Sequence, residues 1–443
     1  MSKPITRRRF VQTSLAATAA ASVIGGRPRL LRAANQVSAN EKLNVAFVGT
    51  GGQASSDFDA IVGAPGVRVV AMCDIDDNRL DEAMTKPAAA DAKRYNDYRK
   101  MIEEMDKGID AVVVAIPDHQ HYHASMYAIK HGKHVYCEKP LCHDVWEARR
   151  LTEAAREKKV VTQMGTQIHG GDNYRRVVEK IRAGAIGKVS RVHVFVGGSY
   201  KGHKITEQTP VPPGVNWDLW LGTAPEWPYS PKLHPFAWRG WWDFGGGMLA
   251  DMACHHMDLP TWALGLTAPT TVHAEGPEPD PVGGPEWLKV HYEYPAVGDR
   301  GPVHLTWYHG GKRPEEFENG KAPKDWGNGC LFVGDKGMMA ADYGQHKLLP
   351  EERFKDYKAP EPTIAASVGH YAEWVKACRE NAPQAALCRF DYAGPLTEAV
   401  LLGNVSHRLG GKKLEWDSAA LKCTNAPEAD KIIKRDFRKG WEI

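Results

Sequence analysis

Two groups of residues have types and spacings that could do chemistry. The first is Gly49-Thr50-Gly51-Gly52-Gln53-Ala54, a G-x-G-x-x-A turn, with Asp74 twenty residues beyond Ala54. Glycines here permit a tight turn and let backbone N–H groups approach a pyrophosphate at a helix N-terminus, while a small third residue lets helix and strand pack closely. Asp74 falls where a carboxylate accepts hydrogen bonds from an adenosine ribose. A carboxylate there repels a 2′-phosphate, so NAD is favoured, with NADP as the alternative. The second group is Ile116-Pro117-Asp118-His119-Gln120-His121 with Glu138-Lys139-Pro140. Both segments follow apolar runs, and the carboxyl ends of parallel strands are where open α/β sheets place their ligands.

The elements that must carry these residues are legible as runs. LNVAFVG, VRVVAMCD, GIDAVVVAIP, GKHVYCEKP and KKVVTQMG are separated by helix-length segments. Continuous Val/Ile/Ala runs of this kind are parallel strands buried on both faces. They predict a doubly wound Rossmann domain over residues 41–166. A helix is expected at Asn173–Ala183, stopped by Gly184 and Gly187. Further on, KVSRVHVFVG, TTVHAEG, WLKVHYEYP, PVHLTWYHGG, GCLFVGD and GMMAADY alternate more and carry tight glycine turns. They predict an α+β domain over residues 167–443, built on a large, mostly antiparallel sheet. Residues 199–245, rich in Pro and Trp, are too long for a simple connection.

Composition separates the leader from the rest. Residues 1–34 hold Lys3, Arg7, Arg8, Arg9, Arg27, Arg29 and Arg32 and no acid. Without those seven charges, 50 basic residues face 54 acidic ones, so the overall +3 becomes −4. No basic field remains for nucleic acid. The paired arginines stand before an apolar stretch, Val11 to Ile24, too short for a stable membrane anchor. The segment resembles a twin-arginine export signal, cleaved near Ala33-Ala34, which predicts a partnership with the twin-arginine machinery and a periplasmic or other extracytoplasmic location. The eight cysteines form no C-x-x-C pair or framework spacing and read as buried thiols.

The G-x-G-x-x-A turn, Pro117 with His121, and Gly132-Lys133-His134-Val135-Tyr136-Cys137-Glu138-Lys139-Pro140-Leu141 together resemble the Gfo/Idh/MocA oxidoreductases. Gly245-Gly246-Gly247-Met248-Leu249-Ala250-Asp251-Met252-Ala253-Cys254-His255-His256-Met257-Asp258 is similar to that family's glycine-rich turn and following helix. Ala54 replaces the third glycine of the fingerprint, and Ala253 stands where many members carry Gly. The resemblance implies bound NAD or NADP and hydride transfer to or from a sugar, sugar derivative or cyclitol. Lys139 would reach both nicotinamide and substrate, and His255 would exchange the hydroxyl proton. Asp251, four residues before His255 on one helical face, would orient that base. Gly49, Gly51, Gly52, Ala54, Asp74, Pro117, His121, Glu138 and Lys139 would form the cofactor site, with Glu138 helping to fix Lys139. A homo-dimer or homo-tetramer is implied as well.

Blander readings stand beside these. The Asp251/His255 pair could serve only its helix, and Lys139 could be a solvated surface charge. His119, His121 and His123, or Asp251, Cys254, His255 and Asp258, have metal-ligating types, but the first set falls where the dinucleotide is expected, and no metal is assigned. Six of fourteen tryptophans (Trp217, Trp220, Trp227, Trp238, Trp241 and Trp242) fall in the long excursion. Beside Arg239 and Asp243 they could face sugar rings, or simply pack or form a subunit contact. A competing function is an NAD-dependent glycoside hydrolase or lyase that oxidises a ring carbon transiently and recycles a tightly held cofactor. A non-catalytic binding protein would be expected to have lost Lys139, Asp251 or His255.

Overall fold

The computed structural model describes residues 42–443, so the basic leader lies outside the described residues. Six strands form the first sheet: β1 (Leu43–Val48), β2 (Val67–Cys73), β3 (Lys93–Tyr95), β4 (Ala111–Val114), β5 (His134–Cys137) and β6 (Thr162–Met164). All pairs are parallel, in the order β3-β2-β1-β4-β5-β6. Side chains of β1 alternate between two cores. Val45 and Phe47 join the side covered by helices Gln53–Val62 and His370–Arg379, whereas Ala46 and Val48 face the other. Burial on both faces is why these strands read as unbroken apolar runs.

The second sheet has nine strands. In chain order they are β7 (Val189–Phe195), β8 (Thr271–Glu275), β9 (Leu288–Tyr294), β10 (Val303–His309), β11 (Gly329–Gly334), β12 (Gly337–Ala341), β13 (His346–Leu349), β14 (Leu414–Asp417) and β15 (Lys422–Cys423). Their order is β13-β12-β11-β7-β10-β9-β8-β14-β15, antiparallel except where β7 meets β10. Trp307, Leu305, Val290 and Tyr292 turn inward under helices Gly247–His256 and Phe390–Arg408. The helix expected at Asn173–Ala183 runs Asp172–Arg182.

Two segments of the second half pack on the nucleotide domain. Trp374, Val375 and Cys378 of His370–Arg379 complete its core, and Tyr371 donates a hydrogen bond (2.7 Å) to Asp57 on the helix that follows the glycine turn. All eight cysteines are buried free thiols, as their spacing predicts.

Candidate active site

A cleft of about 330 Å³ opens at the carboxyl ends of β1, β2, β4 and β5, closed on the other side by residues from the Trp-rich excursion. Gly49 leaves β1 with φ 93°, and a Cβ there would lie 2.2 Å from the Ala115 carbonyl oxygen. Only glycine lets this turn pass so close beside β4. Gly51 lies under the Arg79 guanidinium, Gly52 has open space where a side chain would stand, and Ala54 is buried. No side chain caps the helix Gln53–Val62, so its positive dipole end is left for an anion.

Asp74 Oδ2 accepts hydrogen bonds from Thr50 N and Oγ1 (both 2.8 Å), and Oδ1 accepts from Asp76 N (3.0 Å). The carboxylate therefore ties the end of β2 to the glycine turn. A carboxylate offers about four lone-pair sites, so one remains for a ribose hydroxyl. Burial raises the Asp74 pKa, partly offset by these hydrogen bonds and the Arg79 charge. Open backbone at the turn, an uncapped helix end and a part-satisfied carboxylate facing one cleft fit a dinucleotide.

Lys139 reaches across from the end of β5 to the second domain. Its Nζ donates to Asp251 Oδ1 (2.5 Å) and to the Asp251 carbonyl oxygen (3.0 Å), with both side chains mostly buried. Arg239 Nε donates to the same Oδ1 (3.2 Å). Burial opposes the charge on Lys139, but Asp251 outweighs it and holds the ammonium above its ordinary pKa. The carboxyl of Asp251, although buried, is pulled below its usual range by Lys139 and Arg239.

The helix carrying Asp251 is placed by its glycine turn. Gly247 has φ 64°, a Cβ on Gly245 would lie 2.8 Å from Arg239 Cα, and Asn404 donates to the Gly246 carbonyl (2.8 Å).

The expected pairing of Asp251 with His255 is corrected. Among the described residues Asp251 makes no hydrogen bond to His255, whose Nδ1 is buried without a partner. A full ammonium and a guanidinium outcompete a neutral imidazole for one carboxylate. Burial, with the Lys139 charge, drives the His255 pKa well below its ordinary value, so the ring is held in its neutral form.

Pro117, His121 and Glu138 line the cleft as expected, but two of them have structural duties. His121 is within 2.7 Å of both the Pro140 and Ile116 carbonyl oxygens, bracing two strand-end loops against each other. Burial lowers its pKa to about 4, so the neutral ring donates to one of them at a time. Glu138 accepts from Gln167 (2.7 Å) and Tyr136 (3.3 Å), and its other oxygen accepts from the Lys139 main-chain N–H (3.3 Å). It thus fixes the Lys139 backbone rather than the ammonium. Burial and the neighbouring Asp57 carboxyl raise Glu138 well above its ordinary pKa, and burial lifts Asp57 to about 6.

Asp118, directly after Pro117, is a cleft residue that the sequence reading does not assign to the site. It is buried, lines the cleft and titrates at about 7, raised by burial and Asp251 against the pull of Arg239 and Lys139. The sequence signal was its place directly after Pro117 at the end of β4.

The tryptophans largely resolve to packing. Trp220, Trp238, Trp241 and Trp242 are buried, and Trp217 stacks on Trp220 with centroids 4.4 Å apart. Of the six, Trp220 and Trp238 line the cleft. Arg239 stacks on Trp238 (4.4 Å) and on Phe236 (4.7 Å), and Phe236 is 60% exposed at the cleft.

The profile of the GFO_IDH_MocA oxidoreductase family, NAD-binding Rossmann fold, matches residues 43–166, and that of its C-terminal alpha/beta domain matches residues 185–300. The chain belongs to this family. Its first domain is accordingly an NAD-binding Rossmann domain. An inositol 2-dehydrogenase of Salmonella typhimurium is 34% identical over 129 residues, covering 29% of this chain and 38% of the relative. A glycosyl hydrolase family 109 protein of Saccharopolyspora erythraea is 27% identical over 221 residues, covering 45% and 46%. The matches thus span less than half the length of either relative. The solved structure of an inositol dehydrogenase homolog from Azotobacter vinelandii, complexed with NADH and myo-inositol, superposes with TM-score 0.57 at 18% identity. It covers 85% of this chain and 98% of its own, so the two share a fold.

Proposed function

We propose that this Gfo/Idh/MocA protein is an NAD-dependent oxidoreductase acting on a CH–OH carbon of a sugar, sugar derivative or cyclitol. The observation that carries the reading is the meeting of Lys139 with Asp251 and Arg239 at the cleft that begins in the glycine turn. The turn Gly49–Gly52 and the helix start would hold a pyrophosphate, and Asp74 would hold a ribose. When bound, the nicotinamide supplies the hydride acceptor or donor.

The remaining steps belong to side chains. Lys139, kept protonated by Asp251, lies where an ammonium polarises a substrate oxygen and stabilises its negative charge. His255, kept neutral by burial, is the base that takes or returns the hydroxyl proton. Arg239, on two aromatic faces, presents donors for hydroxyl groups beside Trp238 and Phe236. We further propose that residues 1–34 direct export by the twin-arginine route, on the strength of their acid-free block of seven charges, and that the folded part works as a homo-oligomer.

The test is to purify the full chain, identify released nucleotide after denaturation, and assay a panel of sugars and cyclitols with added NAD at about 340 nm. Substrate-dependent absorbance change supports the reading. Aglycone release from glycosides with no net change in absorbance overturns it in favour of the transient-oxidation alternative.

A further inference from the structure

After the short helix Asp430–Ile433 the chain has no regular structure, yet residues 434–441 are fastened along their length. Arg435 Nε lies 3.1 Å from Asp144 Oδ2, and its Nη2 donates to the His119 carbonyl (2.7 Å) and Thr223 Oγ1 (3.0 Å). Phe437 stacks on Tyr122. Arg438 donates through Nε to the Gly222 carbonyl (2.9 Å) and through Nη1 to Asp218 (2.6 Å), while its backbone N–H donates to the Thr223 carbonyl (3.1 Å). His119 and Tyr122 belong to the nucleotide domain, and Asp218, Gly222 and Thr223 to the Trp-rich excursion. The strap therefore staples one wall of the cleft to the other.

Its last anchor is Trp441. The indole is 5% exposed, with the Arg99 guanidinium 4.0 Å from its centre, His123 at 5.3 Å and Tyr98 at 6.5 Å. It also lines the cleft, beside Asn96, Asp97 and Tyr98. Asn96 donates to the Asp74 carbonyl (2.8 Å), which places this corner next to the ribose carboxylate. In a dinucleotide laid from glycine turn to Asp74, that corner receives the adenine.

We propose that Trp441 is a dinucleotide-binding residue forming the adenine-end wall, and that the strap over residues 434–441 sets the rate at which the dinucleotide leaves. The proposal rests on the reading that the cleft holds NAD. The excursion covers one side of the cleft, and the Arg435 and Arg438 bonds add to those that hold it against the nucleotide domain. Aromatic surface beside a purine adds an attraction that any base satisfies.

The experiment uses the full chain with NAD, ADP-ribose and nicotinamide mononucleotide as probes. Hydrogen exchange on the unaltered protein should show the Trp441 and Arg438 amides slowed by ADP-ribose; unchanged exchange there overturns the proposal, even where substitutions misfold. In Trp441→Ala, NAD and ADP-ribose should dissociate at least tenfold faster, with nicotinamide mononucleotide unaffected and Trp441→Phe intermediate; in Arg438→Ala all three should dissociate faster. Folded variants that release ADP-ribose at the original rate overturn it. An unaltered protein that binds neither NAD nor ADP-ribose overturns the dinucleotide reading itself, and the strap's role with it.

Discussion

Replacing Asp251 by Asn separates the two roles open to this carboxylate. Asp251 Oδ1 is shared between Lys139 Nζ at 2.5 Å and Arg239 Nε at 3.2 Å, and both carboxylate and ammonium are mostly buried. The amide leaves two cations without their counter-charge, a change that costs about 3–5 kcal/mol when one partner of a buried pair is removed. For a folded body of this size that is a fall in Tm of about 4–6 °C. The sign of the pH dependence is fixed. In the unaltered protein Lys139 sits above its ordinary pKa, so its ion pair contributes fully near neutrality and is lost only as pH rises past that raised value. In Asp251→Asn the main charge opposing burial is gone, Lys139 drops towards and below its ordinary pKa, and the folded state can shed its proton. The Tm deficit should therefore shrink as pH rises from 7 towards 10. Differential scanning fluorimetry across that range reads it, and kcat against pH should show the alkaline limb moving down. An unchanged Tm, or movement of the acid limb alone, would refute the ion-pair argument and restore Asp251 as the orienter of His255.

Asp57→Asn should raise stability at pH 8 by up to about 3 kcal/mol and leave it unchanged near pH 4, because a carboxyl lifted from 3.8 to about 6 weakens the fold as pH climbs between those values; equal Tm gains at both pH values would show that burial does not raise the Asp57 carboxyl. Gly49→Ala should cost at least about 2 kcal/mol and abolish nucleotide binding, since its Cβ meets the Ala115 carbonyl at 2.2 Å in a backbone region that L side chains avoid; calorimetric NAD binding at the original strength would refute the cradle. Arg239→Met should move the titration of Asp118 above its present value of about 7, because Arg239 is the main charge holding it down, and isotope-edited infrared spectroscopy of the carboxyl band reads the shift. A static band would show that the guanidinium is not felt there.

Fold and turn were legible because they rest on local rules. Five of the six strands of the first sheet announced themselves as apolar runs, and the glycine turn as backbone that must approach its neighbours closely. The strand that escaped, Lys93–Tyr95, is a three-residue edge with exposed Lys93 and Arg94, so no burial pattern marks it. In the second sheet β13 and β15 are short edge strands of the same kind, and β14, between β8 and β15, has only four residues. The site was legible as residues and less so as partnerships. Spacing four apart on a helix put Asp251 with His255, but a side chain 112 positions away, Lys139, carries the stronger charge. Helix periodicity reports neighbours along one element and is silent about a charge delivered by another sheet. Asp57 and Tyr371 escaped for the same reason, being joined across 314 positions.

The cluster at the cleft draws on each part of the fold that meets there. Asp118 and Lys139 come from the ends of β4 and β5, Arg239 from the Trp-rich excursion, and Asp251 from the helix of the second domain. Lys139 and Arg239 hold Asp251 ionised, so the group free to change charge near neutrality is Asp118, with its pKa of about 7. A buried group with matched pKa gains or gives up a proton at little cost. The meeting of the two domains and the titration of Asp118 thus depend on the same four side chains, which is why changes at Arg239, far from the glycine turn, should register in the titration of Asp118.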